Sequence, residues 1–85
     1  MLIKKTSSTA EIEEGIHYFL LQKEGNFTFE SAYNDFIKLC EYGIDKDMVK
    51  NALIECLEYL LDDGLIEYYN EFYHSTLTEN LDQSI

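Results

Sequence analysis

Three stretches of the sequence carry apolar residues at helical spacing, and a fourth stretch changes to the spacing of strands. The first stretch has one apolar face, formed by Ile12, Ile16, Phe19 and Leu20. Ser8 and Glu11 before it have the spacing of a capping box, in which each side chain bonds the other's backbone N–H. Gly25 suits the end of a helix. The pattern predicts a first helix from about Thr9 to Glu24.

Two further helices are predicted before the spacing changes. The apolar positions of the second stretch are Ala32, Tyr33, Phe36, Ile37 and Cys40. Those of the third stretch are Val49, Ala52, Leu53, Cys56, Leu57 and Leu60. Thr28 and Asp45 stand at the expected N-cap positions, and the two helices are expected to end at Gly43 and Gly64. The short connection between them is typical of helix-turn-helix units.

Beyond Gly64 the sequence becomes rich in β-branched and aromatic residues. The runs 65–69 and 72–77 are separated by Asn70-Glu71, which predicts a β-hairpin. Asn suits a turn position with positive φ and Glu does not, so a two-residue turn and a longer loop both stay open. With a short extended link at residues 27–29, the predicted fold class is α+β and mostly helical. It has three helices and a C-terminal hairpin, in the order α-β-α-α-β-β.

A single domain spanning residues 1–85 is expected, because a chain of 85 residues holds little more than one core. Residues 1–7 and 79–85 are expected to fray at its two ends. The opening residues include no apolar run of signal-peptide length, and no stretch approaches the length of a membrane span. These features favour a cytoplasmic protein that makes no contact with a membrane.

Charge is distributed unevenly along the chain. Six Lys and no Arg stand against seventeen acidic residues, which gives a formal net charge of −11. No cation follows Lys50, whereas carboxylates continue to the end: Glu55, Glu58, Asp62, Asp63, Glu67, Glu71, Glu79 and Asp82. Because they alternate with apolar residues, we interpret them as a folded acidic face. This balance argues against nucleic acid as a default partner, since neutralising phosphates requires clustered cations.

The sequence offers little to carry catalysis. Cys40 and Cys56 fall at core positions of the predicted helices, and we interpret them as free buried thiols. Two cysteines cannot complete a four-ligand zinc site, and His17 and His74 are expected to be exposed. No phosphate-binding loop, nucleophile elbow or Cys–His pair can be built from four glycines and two histidines. The prediction is therefore a protein that is not an enzyme and has no cofactor or metal.

The predicted order of elements resembles that of the winged-helix family. The segment from Ala52 to Glu67 is similar to the family's third helix running into its first wing strand, with Gly-Leu-Ile followed by an acid. Leu77-Thr78-Glu79 resembles the end of the second wing strand in many bacterial members. In members that bind DNA, the outward face of the third helix enters the major groove and the wing touches the backbone. The resemblance implies that these two regions are the candidate interaction face.

That candidate face is acidic in this chain. A helical wheel centred on Leu53 points five residues of the third helix away from the core: Asp47, Asn51, Glu55, Glu58 and Asp62. The wing tip adds Tyr69, Glu71 and Phe72. Each carboxylate at about 5 Å from a phosphate would repel it by roughly 1 kcal/mol. The chain thus resembles an acidic variant without the usual basic recognition face, and direct DNA binding is not expected.

Alternative functions remain open at this point. The first is a non-enzymatic regulator or adaptor that binds a protein, for example a basic nucleic-acid-binding protein whose DNA the carboxylates would mimic. The hairpin aromatics, of which half should face the core, also suit a homodimer contact. The second is a dimeric DNA-binding transcriptional regulator that uses Lys4, Lys5, Lys46 and Lys50. The third is a structural domain of a larger complex. Residue usage suits a phage or plasmid gene.

Overall fold

The computed structural model describes residues 3–76, which form three helices and a two-stranded antiparallel sheet. The elements are α1 (Thr9–Leu21), α2 (Phe29–Ile37), α3 (Lys46–Asp62), β1 (Ile66–Tyr69) and β2 (Phe72–Ser75). The predicted α+β class and the three helices followed by a hairpin are confirmed. The predicted strand end at Leu77-Thr78-Glu79 and the expected fraying of residues 79–85 lie outside the described residues.

Each helix begins after its predicted N-cap residue, whose side chain accepts hydrogen bonds from the first turn. Ser8 Oγ accepts from the Glu11 N–H at 3.2 Å, and the Glu11 carboxylate accepts from the Ser8 N–H at 3.0 Å. Thr28 and Ser31 form the same reciprocal pair at the start of α2. Asp45 Oδ1 accepts from two backbone N–H groups in the first turn of α3. Each such cap stabilises its helix by about 1 kcal/mol, because it satisfies amides that the helix leaves unpaired.

The predicted end of α1 near Glu24 is wrong, because the helix ends at Leu21. Lys23 leaves the helical path and turns toward α2, where its Nζ bonds the Asp35 carboxylate at 3.1 Å. The same ammonium lies 5.0 Å from the centre of the Phe19 ring. Gly25, with φ +74°, follows in the link to α2.

The predicted end of α2 at Gly43 is also wrong, because α2 ends at Ile37. The connection to α3 therefore spans residues 38–45, which is longer than the short helix-turn-helix connection expected. Cys40 lies outside the helix and forms a parallel bridge with Ile3, whose N–H bonds the Leu39 carbonyl at 2.8 Å. Cys40 is in consequence half-buried, and it does not occupy a helical core position. Ile3 is buried, so the fraying expected of residues 1–7 does not hold at this residue.

One apolar core lies among the three helices and β1, and α1 packs most extensively against α3. The predicted stripes supply most of it: Ile12, Ile16, Leu20, Ala32, Phe36, Val49, Ala52, Leu53, Cys56, Leu57 and Leu60 are all buried. Ile3, Phe27, Ile44 and Ile66 complete the core from the connecting segments and the sheet. Burying Leu- or Phe-sized side chains stabilises the fold by about 1.5 to 3 kcal/mol each.

The hairpin has a two-residue turn, which decides between the two alternatives left open above. Asn70 and Glu71 both adopt positive φ, +52° and +69°, as in the turns that match the right-handed twist of paired strands. On the far side of β2, Phe27 exchanges two backbone hydrogen bonds of 2.8 Å with Tyr73. The predicted extended link therefore pairs with β2 through one residue, Phe27. β1 lies on the opposite side of β2.

Candidate functional site

The outward side of α3 is exposed along its whole length. Its buried residues recur at intervals of three and four positions, which leaves the opposite stripe to solvent. All five residues that the helical wheel pointed outward are exposed: Asp47, Asn51, Glu55, Glu58 and Asp62. The sequence pattern was sufficient to predict the exposure of these residues, because α3 is a regular helix with a continuous apolar stripe.

Four of the exposed side chains on α3 surround one shallow depression. We define the helix patch as these residues: Glu55, Glu58, Tyr59 and Asp62. Tyr59 is 66% exposed and was not predicted as part of the site. Its position, four residues after Glu55 on the same side of the helix, was the available signal. Asp47 and Asn51 lie on earlier turns and do not line the depression.

The helix patch is strongly negative for three reasons. Glu58 and Asp62 are four residues apart, so two like charges face each other, which costs helix stability about 0.2 to 0.5 kcal/mol. Asp62 and the C-cap residue Asp63 stand at the end of the helix where the backbone carbonyls already carry partial negative charge. Within residues 3–76, no ion pair involves a carboxylate of this patch. The patch therefore attracts cations.

We define the three predicted wing-tip residues, all of them exposed, as the hairpin patch: Tyr69, Glu71 and Phe72. Tyr69 is 71% exposed and lies directly opposite Phe72, which is 42% exposed. None of the three lines the depression on α3. The expectation that half of the hairpin aromatics are buried is wrong, because only Tyr73 is half-buried and Tyr68 is exposed.

Both histidines were expected to be exposed, and both are half-buried. The Nε2 atom of His17 on α1 is buried and has no hydrogen-bond partner in the part of the chain described. His74 Nε2 lies 3.6 Å from a carboxylate oxygen of Glu67, the residue directly opposite on β1.

The two thiols are poor nucleophiles. Burial, with smaller contributions from the negative charges of Glu13 and Glu55, raises the pKa of Cys56 to about 12. Its Sγ lies 3.6 Å from the Glu13 carbonyl oxygen. Burial also raises the pKa of Cys40. Reactive cysteines need a lowered pKa, because the thiolate is the attacking species.

Further features bear on ligands and membranes. Within residues 3–76, no group of three or more His, Cys, Asp or Glu side chains is arranged to hold a metal ion. None of the helices in the same range is both long enough and apolar enough to cross a bilayer. Five lysines are exposed, and none of them lines the depression of the helix patch: Lys4, Lys5, Lys38, Lys46 and Lys50.

No protein-family profile matches this sequence, and searches of curated proteins and of solved structures return no significant match.

Proposed function

We propose that this chain is an acidic winged-helix module that is not an enzyme and that acts by binding a basic protein partner through the helix patch. The winged-helix assignment is supported by the order of elements. It is also supported by the bridge between Phe27 and Tyr73, which adds a third strand position beside the hairpin.

The observation that carries the proposal is the sign of the charge on the outward face of α3. In DNA-binding members of the winged-helix family the corresponding face enters the major groove, whereas here it presents Glu55, Glu58 and Asp62 around an exposed Tyr59. Carboxylates spaced along a helix offer a basic protein surface the charge pattern of a nucleic acid, and they accelerate association by electrostatic steering. The aromatic ring in their midst supplies the apolar contact typical of protein interfaces.

One observation favours the alternative, a DNA-binding regulator. The bridge between Ile3 and Cys40 holds the N-terminal segment against the α2–α3 connection, where the Lys5 side chain lies beside Gly43. Lys46, the first residue of α3, is exposed in the same region. One contact argues against DNA binding at these lysines. The Lys5 backbone N–H bonds the Glu41 carboxylate at 3.1 Å, so an acid lies beside the lysines.

The test is capture of the partner by matched charge variants. Immobilised wild-type protein should retain a basic protein from an extract of the source cells, and Glu55→Lys/Glu58→Lys should lose it. The control Glu14→Lys/Glu24→Lys makes the same change of charge at two exposed residues outside the helix patch and should retain the partner. Raising the salt concentration should weaken capture, because exposed charges are screened. Equal retention by both variants would refute the role of the helix patch.

A further inference from the structure

The outer edge of β1 directs backbone hydrogen-bonding groups away from the rest of the sheet. Tyr73 uses its N–H and C=O to bond Phe27, so these groups point away from β1. Tyr68 lies directly opposite Tyr73, and in an antiparallel pair the residue opposite such a group points its own N–H and C=O to the other side. Within residues 3–76, no backbone hydrogen bond uses these two groups of Tyr68. They are therefore available to an added strand.

An aromatic row crosses the sheet and ends at the same edge. The rings of Phe27 and Tyr73 are stacked with centroids 5.7 Å apart, and the rings of Tyr73 and Tyr68 have centroids 4.8 Å apart. Tyr68 is the last ring of the row and is 55% exposed. A side chain on an added strand would lie directly opposite Tyr68 and would continue the row, since cross-strand neighbours on one face are in contact.

The opposite face of β1 carries Glu67 and Tyr69, both exposed. Proteins protect edge strands by short length, charged side chains, Pro or bulges. The four-residue β1 has no Lys, Pro or bulge. Its one charge is Glu67, which repels an acidic strand and attracts a basic one. A second copy of this chain would bring the same acidic strand and, beyond Lys50, no cation to match it. Charge complementarity thus selects a basic segment.

We propose that the β1 edge binds an extended basic segment of a partner protein, which adds an antiparallel strand to the sheet. The residue opposite Tyr68 is aromatic or β-branched, and the residues on either side of it are Lys or Arg. One of these cations lies next to Glu67, and the other lies over the Tyr69 ring as a cation–π pair. This inference rests on the proposed function in one respect, namely that the natural partner is a basic protein.

A labelled peptide with the alternating core Lys-Tyr-Lys, flanked by Thr, is the probe, and fluorescence anisotropy measures its binding. Tyr68→Pro removes the outward N–H, which makes no bond within the described fold, and proline is tolerated at such an edge position. Tyr68→Val removes the ring and keeps the N–H, so it is the matched control. We expect Tyr68→Pro to bind at least about tenfold more weakly than Tyr68→Val. Circular dichroism checks that both variants fold.

Two comparisons make the result decisive. A peptide of the same composition with its lysines adjacent should bind more weakly than the alternating peptide, because one lysine then shares the face of Tyr68. Equal binding of the peptide by Tyr68→Pro and Tyr68→Val would overturn the edge site. The proposed function has its own test, which does not depend on the β1 edge: it is refuted if Glu55→Lys/Glu58→Lys still captures the natural partner. Loss of the natural partner in that variant, together with unchanged peptide binding by Tyr68→Pro, would leave the helix patch standing and reject the edge site.

Discussion

Phe27 and Tyr73 exchange two backbone hydrogen bonds of 2.8 Å and stack their rings with an interplanar angle of 22°. This pair joins the link between α1 and α2 to the hairpin at the other end of the described chain. Phe27 is 4% exposed, so its ring is also part of the core. The hairpin is consequently held by long-range packing as well as by its own turn.

We expect Phe27→Ala to lower the free energy of unfolding by about 3 to 5 kcal/mol, because it leaves a cavity and removes the stack on Tyr73. Urea unfolding followed by circular dichroism measures the change. The control is Tyr42→Ala, which removes a ring that is 98% exposed and should alter stability by less than about 0.5 kcal/mol. Similar values for the two variants would show that Phe27 does not anchor the hairpin.

The same contrast between short-range and long-range contacts explains which parts of the fold the sequence could predict. The helix starts at Ser8, Thr28 and Asp45 depend on residues within one turn, and all three predictions are confirmed. The end of α1 at Leu21 was missed, and Lys23 just beyond it contacts Asp35 of α2, a long-range contact that no local pattern contains.

The position of Cys40 is a second feature that depends on a long-range contact and could not be predicted from periodicity. Its spacing from Phe36 is helical, but its neighbour in the fold is Ile3, which lies far away in the sequence. Periodicity assigned it to α2 because it records only which residues can share one helix face. The pairing of two irregular segments has no such period.

For the candidate surfaces, the sequence predicted which residues of α3 are exposed, but it did not predict which aromatic residues of the hairpin are exposed. The helical period placed Glu55, Glu58 and Asp62 outward, which the structure shows. Tyr68 lies on the same face of β1 as the buried Ile66, yet Tyr68 is exposed because β1 is an edge strand. Edge position follows from the topology of the sheet, so it is not available from the residues of one strand.

The turn residue Glu71 is strained, and we expect Glu71→Gly to stabilise the protein. Glu71 has φ +69°, a region that costs residues with a Cβ about 1 to 2 kcal/mol relative to glycine. Asn-Gly is the preferred pair for a two-residue hairpin turn. Thermal unfolding should show a higher Tm for Glu71→Gly and a lower one for Glu71→Val, which adds a branched side chain at the same angle. A lower Tm for Glu71→Gly would mean that the turn differs from the one described.

The buried thiol of Cys56 makes the free energy of unfolding depend on pH in the alkaline range. Because burial raises its pKa from 9.0 to about 12, the folded state holds the thiol proton more tightly than the unfolded state. Its contribution is complete below pH 9 and is lost as the pH rises toward 12. The free energy of unfolding should therefore fall more steeply over this range in the wild type than in Cys56→Ala. Parallel curves for the two proteins would contradict this placement of Cys56.

The hairpin patch raises the question of self-association. We expect the wild type to sediment as a monomer at physiological ionic strength, because Glu67 and Glu71 would approach the same acidic surface of a second copy. The variant Tyr69→Lys/Phe72→Lys removes the exposed rings and should sediment identically. A concentration-dependent dimer in the wild type that is absent in this variant would show that the hairpin patch is a homodimer contact.

A mobility-shift assay with duplex DNA at low ionic strength distinguishes a module that binds a basic protein from a DNA-binding regulator. Charges act over about 30 Å in 0.01 M salt, so the acidic outward face of α3 should repel DNA most strongly there. We predict that neither random nor genomic duplex fragments shift in a mobility assay with the wild type under these conditions. The contrary result would be retention of a selected genomic fragment, with an affinity that falls as salt rises and disappears in Lys46→Ala/Lys50→Ala. That outcome would make the protein a DNA-binding regulator and would refute binding of a basic partner through the helix patch.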